Sequence, residues 1–184
     1  MKRIFLLIMM VLPFVGIGQN IKALYCFRTY FSPIGNYVEI NTSIDATTIE
    51  KAKLNNNSWQ AKAELTTIIC QESNIDSAIY VDKRIIKSPE VKDSNNLNNV
   101  SLLDMQRVPL ENGTYIVFFE LRDENSTLQP LYYKDYFKVD YKKDDINVSD
   151  IMLIDKLSKA TENNIMTKSG YDLQPYMFDV ISKD

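Results

Sequence analysis

The side chains that could do chemistry in this 184-residue chain are carboxylates, lysines, tyrosines and two cysteines, because histidine is absent. Without histidine the chain cannot form a Ser-His-Asp or Cys-His nucleophilic system, and it cannot form a histidine zinc site. Two cysteines are too few for a four-cysteine metal site. We therefore expect a protein that is not an enzyme, with no catalytic residue, no metal and no cofactor.

Carboxylates leave two other kinds of site open. The segments Asp123-Glu124-Asn125 and Asp144-Asp145 could offer oxygen ligands to Ca²⁺, but neither has EF-hand spacing and both are typical of solvated turns. A glycoside hydrolase needs two acids on opposite sides of a cleft, and sequence spacing does not reveal such a pair. An enzyme that uses carboxylates alone is therefore the last of our hypotheses.

Cys26 and Cys70 fall in two different predicted strands. An exported protein can form a disulfide, and a loop of this length would stabilise the fold by about 3–4 kcal/mol in the entropic model. Cys26 lies on the face opposite Tyr25 and Phe27, and Cys70 on the face opposite Trp59 and Ile69. If the aromatic faces form the core, both thiols point outward and can pair only between neighbouring strands. The alternative is two buried thiols that act as small hydrophobic side chains.

Tyr132 and Tyr136 are the candidate binding residues. In the last predicted strand they share one face with Lys134 and Lys138. Outward tyrosines between lysines could stack on a sugar ring or hold a loop of a partner protein. The alternative, which we favour, is ordinary cross-strand pairing on a solvated sheet face.

The segments that must position these side chains have the period-two alternation and the β-forming residues of strands. The clearest is Trp59 to Cys70, where Trp59, Ala61, Ala63, Leu65, Thr67 and Ile69 alternate with more polar residues. The other predicted strands are Ile21 to Phe31, Tyr37 to Ile44, Ser77 to Lys87, Val100 to Leu110, Tyr115 to Leu121 and Tyr132 to Tyr141.

Asn112-Gly113-Thr114-Tyr115 precedes the sixth predicted strand, and we expect positive φ at Asn-Gly for a tight reversal. A Gly-x-Tyr at the start of a late strand resembles the tyrosine corner of immunoglobulin-like sandwiches. The predicted fold is thus all-β, an immunoglobulin-like antiparallel β-sandwich over residues 19–148. Residues 149–184 form a C-terminal segment in which Ile151 to Lys159 could be a strand or a short helix capped by Ser149. This segment either docks on the sandwich or begins a truncated second domain.

The first eighteen residues have the pattern of a cleaved secretory signal peptide. Lys2 and Arg3 precede an apolar run, and the small residues Gly16 and Gly18 stand before the expected cleavage site. No later apolar run is long enough to span a bilayer as a helix. We therefore expect an exported chain without a transmembrane segment, located in the periplasm, at the outer membrane or outside the cell.

Two segments resemble the N-terminal β-sandwich region of exported Bacteroidetes proteins called GWxTD-domain proteins. Residues 31–40 read Phe-Ser-Pro-Ile-Gly-Asn-Tyr-Val-Glu-Ile, similar to their F-S-P-x-G-x-Y-V-E opening, and residues 148–153 are similar to their S-D-I-x-L segment. The GWxTD motif itself is absent, since the sole tryptophan, Trp59, precedes Gln60-Ala61. The resemblance implies an exported sandwich module and no established activity.

The charge and composition of the chain exclude nucleic acid as the expected partner. The chain has 24 acidic and 21 basic residues and a net charge of −3, without the clustered lysines and arginines that nucleic-acid binding requires. We expect a non-catalytic binding or structural module of the bacterial cell envelope that contacts another envelope protein through a sheet surface or edge. The alternative is a carbohydrate-binding module that holds polysaccharide with exposed tyrosines.

Overall fold

The computed structural model describes residues 21–142 and 145–177, and the expected signal peptide lies outside these residues. The described chain is nearly all strand, with two 3₁₀ turns at Ala46–Thr48 and Ser94–Leu97. The first eight strands are β1 (Ala23–Tyr30), β2 (Tyr37–Asp45), β3 (Lys51–Lys53), β4 (Trp59–Gln71), β5 (Asn74–Lys87), β6 (Ser101–Pro109), β7 (Gly113–Asp123) and β8 (Leu131–Val139). Three short strands follow, β9 (Ile154–Lys159), β10 (Thr167–Lys168) and β11 (Tyr171–Pro175).

The first eight strands form two antiparallel sheets. The small sheet has the order β1-β2-β6. In the large sheet, residues 63–71 of β4 pair with both β5 and β7, which therefore lie on its opposite edges. Strand β8 continues beyond β7, and β3 pairs with the first residues of β4. This strand order is that of an immunoglobulin-like sandwich, with β5 added at the edge of the large sheet next to β4.

The core lies between these two sheets, because the strands turn an apolar, buried face toward each other. In β4 the side chains of Ala61, Ala63 and Ile69 are fully buried, whereas the alternate residues Lys62, Glu64, Thr66 and Ile68 are only half-buried. Val38 and Ile40 of β2 face them from the small sheet and are also fully buried. Burial of one such aliphatic side chain contributes about 1.5–3 kcal/mol, which explains why the alternation fixes the register of each strand.

The expected all-β sandwich is confirmed, and all seven predicted strands are present with ends shifted by a few residues. Strand β3 was not predicted, because Lys51-Ala52-Lys53 is short and polar. Strand β5 begins earlier than expected, at Asn74. Its pairing with β4 shifts register twice at the end of β4, because Ile79 is extra between Tyr80 and Ala78 and residues 75–77 are extra between Ala78 and Asn74.

Tyr115 forms the expected corner at the start of β7. Its hydroxyl donates a hydrogen bond to the carbonyl oxygen of Glu111, at 2.7 Å, and its side chain is buried. The expected positive φ at Asn112-Gly113 is wrong, since the glycines with positive φ are Gly35 and Gly170 among the described residues. A Cβ at Gly113 would stand 3.4 Å from the Tyr115 ring, in van der Waals contact with it.

The C-terminal segment contacts the small sheet. The Asp150 carboxylate accepts a hydrogen bond from the Thr29 backbone N–H, at 2.7 Å, and the Ser149 hydroxyl accepts one from the Phe31 N–H, at 2.9 Å. Residues 154–159 form a strand rather than a helix, and β11 pairs with both β9 and β10. Lys168 reaches Glu39 on β2. Within the described ranges, the structure contains no helix with the length and apolar character needed to cross a membrane.

Candidate functional site: the outer face of the large sheet

The outer face of the large sheet carries a continuous apolar stripe. In one cross-strand row Val81 of β5 pairs with Ile68 of β4, which pairs with Phe118 of β7, and this row ends at Lys134 of β8. In the next row Cys70 pairs with Ile116, which pairs with Tyr136. Six apolar or aromatic side chains from four strands thus form one surface, although they are scattered over nearly 70 residues of sequence.

This stripe is open to solvent at both of its ends. Val81 is 61% exposed and Tyr136 is 50% exposed, whereas Ile116 between them is almost fully buried beneath its neighbours. Tyr132 and Ile85 add further exposed area on the same face. Exposed apolar side chains that are grouped on one face mark interaction sites in globular proteins.

A network of charges borders the stripe. Glu64 of β4 lies 2.8 Å from the Lys83 ammonium and 3.9 Å from Arg122, and Arg122 also pairs with Glu120 at 3.0 Å. Each exposed ion pair contributes about 1 kcal/mol at most to stability. The hydrogen bond with Glu120 raises the pKa of the Arg122 guanidinium, which therefore stays charged. An apolar centre with a polar rim is the usual organisation of a protein–protein interface.

The outer face of the small sheet, unlike that of the large sheet, is buried at its centre. Glu39 and Asn41 of β2 and Met105 of β6 point to that side, and all three are at most 2% exposed. Glu39 binds two cations through one oxygen, Arg107 and Lys168, each at 2.9 Å. Lys168 comes from the C-terminal segment, and its ammonium also lies 4.6 Å from the Tyr30 ring centroid. The large sheet is thus the layer with an accessible outer face.

The two candidate tyrosines, Tyr132 and Tyr136, both lie on the outer face of the large sheet, with Lys134 between them. Tyr133 points the other way and its ring packs on Tyr25 of β1, with the ring centroids 4.7 Å apart. The strand alternation alone was sufficient to place these side chains. It gave no sign of Val81 or Phe118, because their membership of this face depends on which strands are neighbours.

The structure does not bring the two cysteines together. Cys26 lies on β1 of the small sheet and Cys70 on β4 of the large sheet. Both side chains point away from the core, so they emerge on opposite outer faces of the sandwich. Both are buried. Cys70 forms part of the floor of the apolar stripe.

Charged and polar residues between the sheets form a hydrogen-bonded network. Arg84 of β5 binds Asp82 and Asp104, and Gln106 donates hydrogen bonds to Asp104 at 3.0 Å and to Thr67 at 3.1 Å. Both carboxylates are thus neutralised by the same guanidinium. These bonds join β6 to β4 and β5, and they satisfy polar groups that burial would otherwise penalise.

The acidic turn at Asp123 is also structural. Its carboxylate accepts hydrogen bonds from the Glu50 and Asn125 backbone N–H groups, at 2.7 Å and 2.9 Å. Within the part of the chain that the structure describes, no group of three histidine, cysteine, aspartate or glutamate residues could hold a metal ion.

The two segments that carry the family resemblance meet at one end of the sandwich. Besides its bond to the Thr29 N–H, the Asp150 carboxylate accepts a hydrogen bond from the Thr29 hydroxyl at 3.0 Å, and that hydroxyl lies 2.9 Å from the Tyr141 hydroxyl. The Asn112 side chain pairs with the Tyr141 backbone, at 2.6 Å and 3.0 Å. These side chains stabilise the end of β1 and the connections beside it. Comparison of the chain with protein-family models and with curated proteins finds no match.

Proposed function

We propose that this chain is a non-catalytic binding module, exported to the bacterial cell envelope, that contacts another envelope protein through the outer face of the large sheet. The observation that carries the proposal is the exposed apolar stripe from Val81 to Tyr136. The resemblance to the N-terminal region of GWxTD-domain proteins and the signal-like first eighteen residues support export.

The chemistry of the face favours a protein as the partner. Aromatic and aliphatic side chains at its centre would be desolvated on binding, and tyrosine is among the residues that contribute most to such interfaces. The charged border holds both signs, with Lys83 and Arg122 next to Glu64 and Glu120. Such a border specifies orientation through complementary charges on the partner.

Site-specific photocrosslinking in cells that produce the chain tests the proposal. A photoreactive residue at Val81 or at Tyr136 should give the same crosslinked envelope protein. The matched control is Val148, a valine that is 79% exposed outside this face. A crosslink from Val148 of equal yield, or no crosslink from Val81 and Tyr136, would contradict the proposal.

The second candidate function is carbohydrate binding, and it rests on the shared orientation of Tyr132 and Tyr136. Both are at least half exposed and stand on the same strand face. The alternative predicts retention of the chain on a polysaccharide matrix and loss of retention in Tyr132→Ala. Tyr171→Ala is the control, because Tyr171 is 47% exposed in the C-terminal segment. Equal retention of the two variants would remove this alternative.

A further inference from the structure

Strand β5 is an edge strand of the large sheet, and within the described ranges it pairs with β4 alone. The direction of its backbone groups follows from the hydrogen bond that Ser88 donates to the carbonyl oxygen of Ala61, at 3.0 Å, which continues the register of the two strands by one pair. Backbone groups alternate in direction along an antiparallel strand, so every second residue from Ser88 back to Tyr80 bonds to β4. The residues between them direct their N–H and C=O groups to the free side.

The free edge of β5 therefore presents the backbone groups of Val81, Lys83 and Ile85. Among the described residues, no hydrogen bond to the backbone of these three is present on that side. Their side chains are exposed, and all three lie on the outer face of the large sheet. An unpaired edge of this kind is a template for a further strand.

The small sheet holds this edge in place from the inner side. The Arg84 guanidinium donates a hydrogen bond to Asp104 at 3.2 Å, and the Tyr80 hydroxyl donates one to Gln106 at 3.4 Å. Both acceptors belong to β6, so β5 is ordered before any ligand binds. The cost of ordering the edge therefore does not reduce the affinity for an added strand.

A second copy of this chain is a poor fit to the edge, because two-fold antiparallel pairing places one residue of β5 opposite itself. A two-fold centre at Asp82, Lys83 or Arg84 places like charges directly opposite, and a centre at Ile85 places Lys83 opposite Lys87. Like charges in directly opposite positions destabilise a pair of strands. A centre closer to the start of β5 brings in the irregular part of the strand. The charges of β5 thus favour a different chain as the occupant.

The order of apolar and charged residues along the edge defines the chemistry of that chain. Directly opposite side chains of an antiparallel pair contact each other, so Val81 and Ile85 favour aliphatic residues and Lys83 favours an acid. Glu64 already lies 2.8 Å from the Lys83 ammonium, but an ammonium has three donors and can bind a second carboxylate.

We propose that β5 binds an extended segment of the partner protein as an added antiparallel strand. An acidic residue of this segment stands opposite Lys83, and aliphatic residues stand opposite Val81 and Ile85. The inference deepens the proposed function and rests on it, because the added side chains would extend the apolar stripe of the outer face.

Two short peptides with blocked ends test the charge in this assignment, Thr-Val-Thr-Glu-Thr-Val-Thr and the same peptide with lysine in place of glutamate. We expect the acidic peptide to bind saturably in an NMR titration and to slow hydrogen exchange at the amides of Val81, Lys83 and Ile85. The lysine peptide should bind about fivefold more weakly, the effect of one cross-strand charge pair. Lys83→Glu should reverse this preference, and Lys134→Glu, on the other edge strand of the sheet, should keep it.

Methylation of peptide nitrogens tests the backbone pairing without a change in the protein. Methyl groups on the glutamate and the two valines remove the donors that would face β5, whereas methyl groups on the two threonines between them remove donors that face away. The first peptide should not bind, and the second should bind like the unmethylated one. Equal binding of the two methylated peptides, no saturable binding of the acidic peptide, or an unchanged preference in Lys83→Glu would overturn the proposal.

Photocrosslinking at Val81 and Tyr136 separates a failure of this inference from a failure of the proposed function. Crosslinks to an envelope protein without binding of the acidic peptide would keep the outer face as the interface and overturn strand addition. Binding of the acidic peptide without crosslinks would support strand addition at β5 and remove the outer face as the contact.

Discussion

Tyr115 shows how one side chain stabilises the connection between the two sheets. Its hydroxyl bonds back to the Glu111 carbonyl, four residues upstream, so the chain leaving β6 is tied to the beginning of β7. The Gly-x-Tyr pattern was sufficient to predict this bond. It gave the wrong φ angle at Gly113, because the residue types do not show which turn the backbone adopts between β6 and β7.

We predict that Tyr115→Phe lowers the free energy of unfolding by about 0.5–1.5 kcal/mol, because the hydrogen bond to the Glu111 carbonyl is lost while the ring stays in place. Urea denaturation measures this change. Tyr132→Phe is the matched control, since Tyr132 is 67% exposed, and it should leave the urea midpoint unchanged. Equal midpoints for the two variants would show that the corner bond contributes nothing.

At the scale of elements, the C-terminal strands β9, β10 and β11 form a three-stranded sheet of their own. Lys168 binds Glu39, and Ser149 and Asp150 bind the end of β1. All six side chains of β9 are exposed. Elements with few buried contacts open before the rest of a protein unfolds. Backbone amides of β9 to β11 should therefore exchange with solvent faster than those of β4 and β7.

Lys168→Met should increase this local opening. The substitution removes one of two cations from Glu39, and detachment of the segment would let water reach the carboxylate that Arg107 still binds. We expect faster hydrogen exchange across β9 to β11 and little change in β4 and β7. Lys156→Met is the control, because Lys156 is exposed on β9. Unchanged exchange in Lys168→Met would show that the Lys168–Glu39 pair does not hold the segment.

The strands were predictable from the sequence where apolar residues alternate with polar residues, as in β4. The partners of each strand were not predictable, because alternation shows which way a side chain points and not which strand is its neighbour. Tyr132 and Tyr136 could thus be placed on an outer face from the sequence. The stripe that links them to Phe118 and Val81 appears only once β5, β4, β7 and β8 are side by side.

At the scale of the whole molecule, tyrosines that are buried or half-buried make the stability depend on alkaline pH. Burial is the largest cause of a raised pKa at Tyr25, Tyr30, Tyr37, Tyr80 and Tyr115. The unfolded chain therefore loses these protons at a lower pH than the folded chain does. The stability that these groups contribute is complete below pH about 10 and decreases as the pH rises above it.

Urea midpoints measured between pH 8 and pH 11, together with tyrosinate absorbance, check this dependence. We expect the midpoint to fall above pH about 10 and the tyrosinate signal of these five of the eleven tyrosines to appear only as the chain unfolds. Full ionisation of the tyrosines in a chain with an unchanged midpoint would show that these phenols are not buried.

The central claim is that the outer face of the large sheet binds another envelope protein, and lysine footprinting tests it most directly. Lys83 and Lys134 are exposed on this face, whereas Lys53 and Lys156 are exposed elsewhere. The acylation rate of each lysine would be compared between the purified chain and the intact envelope of cells that produce it. We predict slower acylation of Lys83 and Lys134 in the envelope and unchanged rates at Lys53 and Lys156. Equal rates at all four lysines in both preparations would contradict the claim.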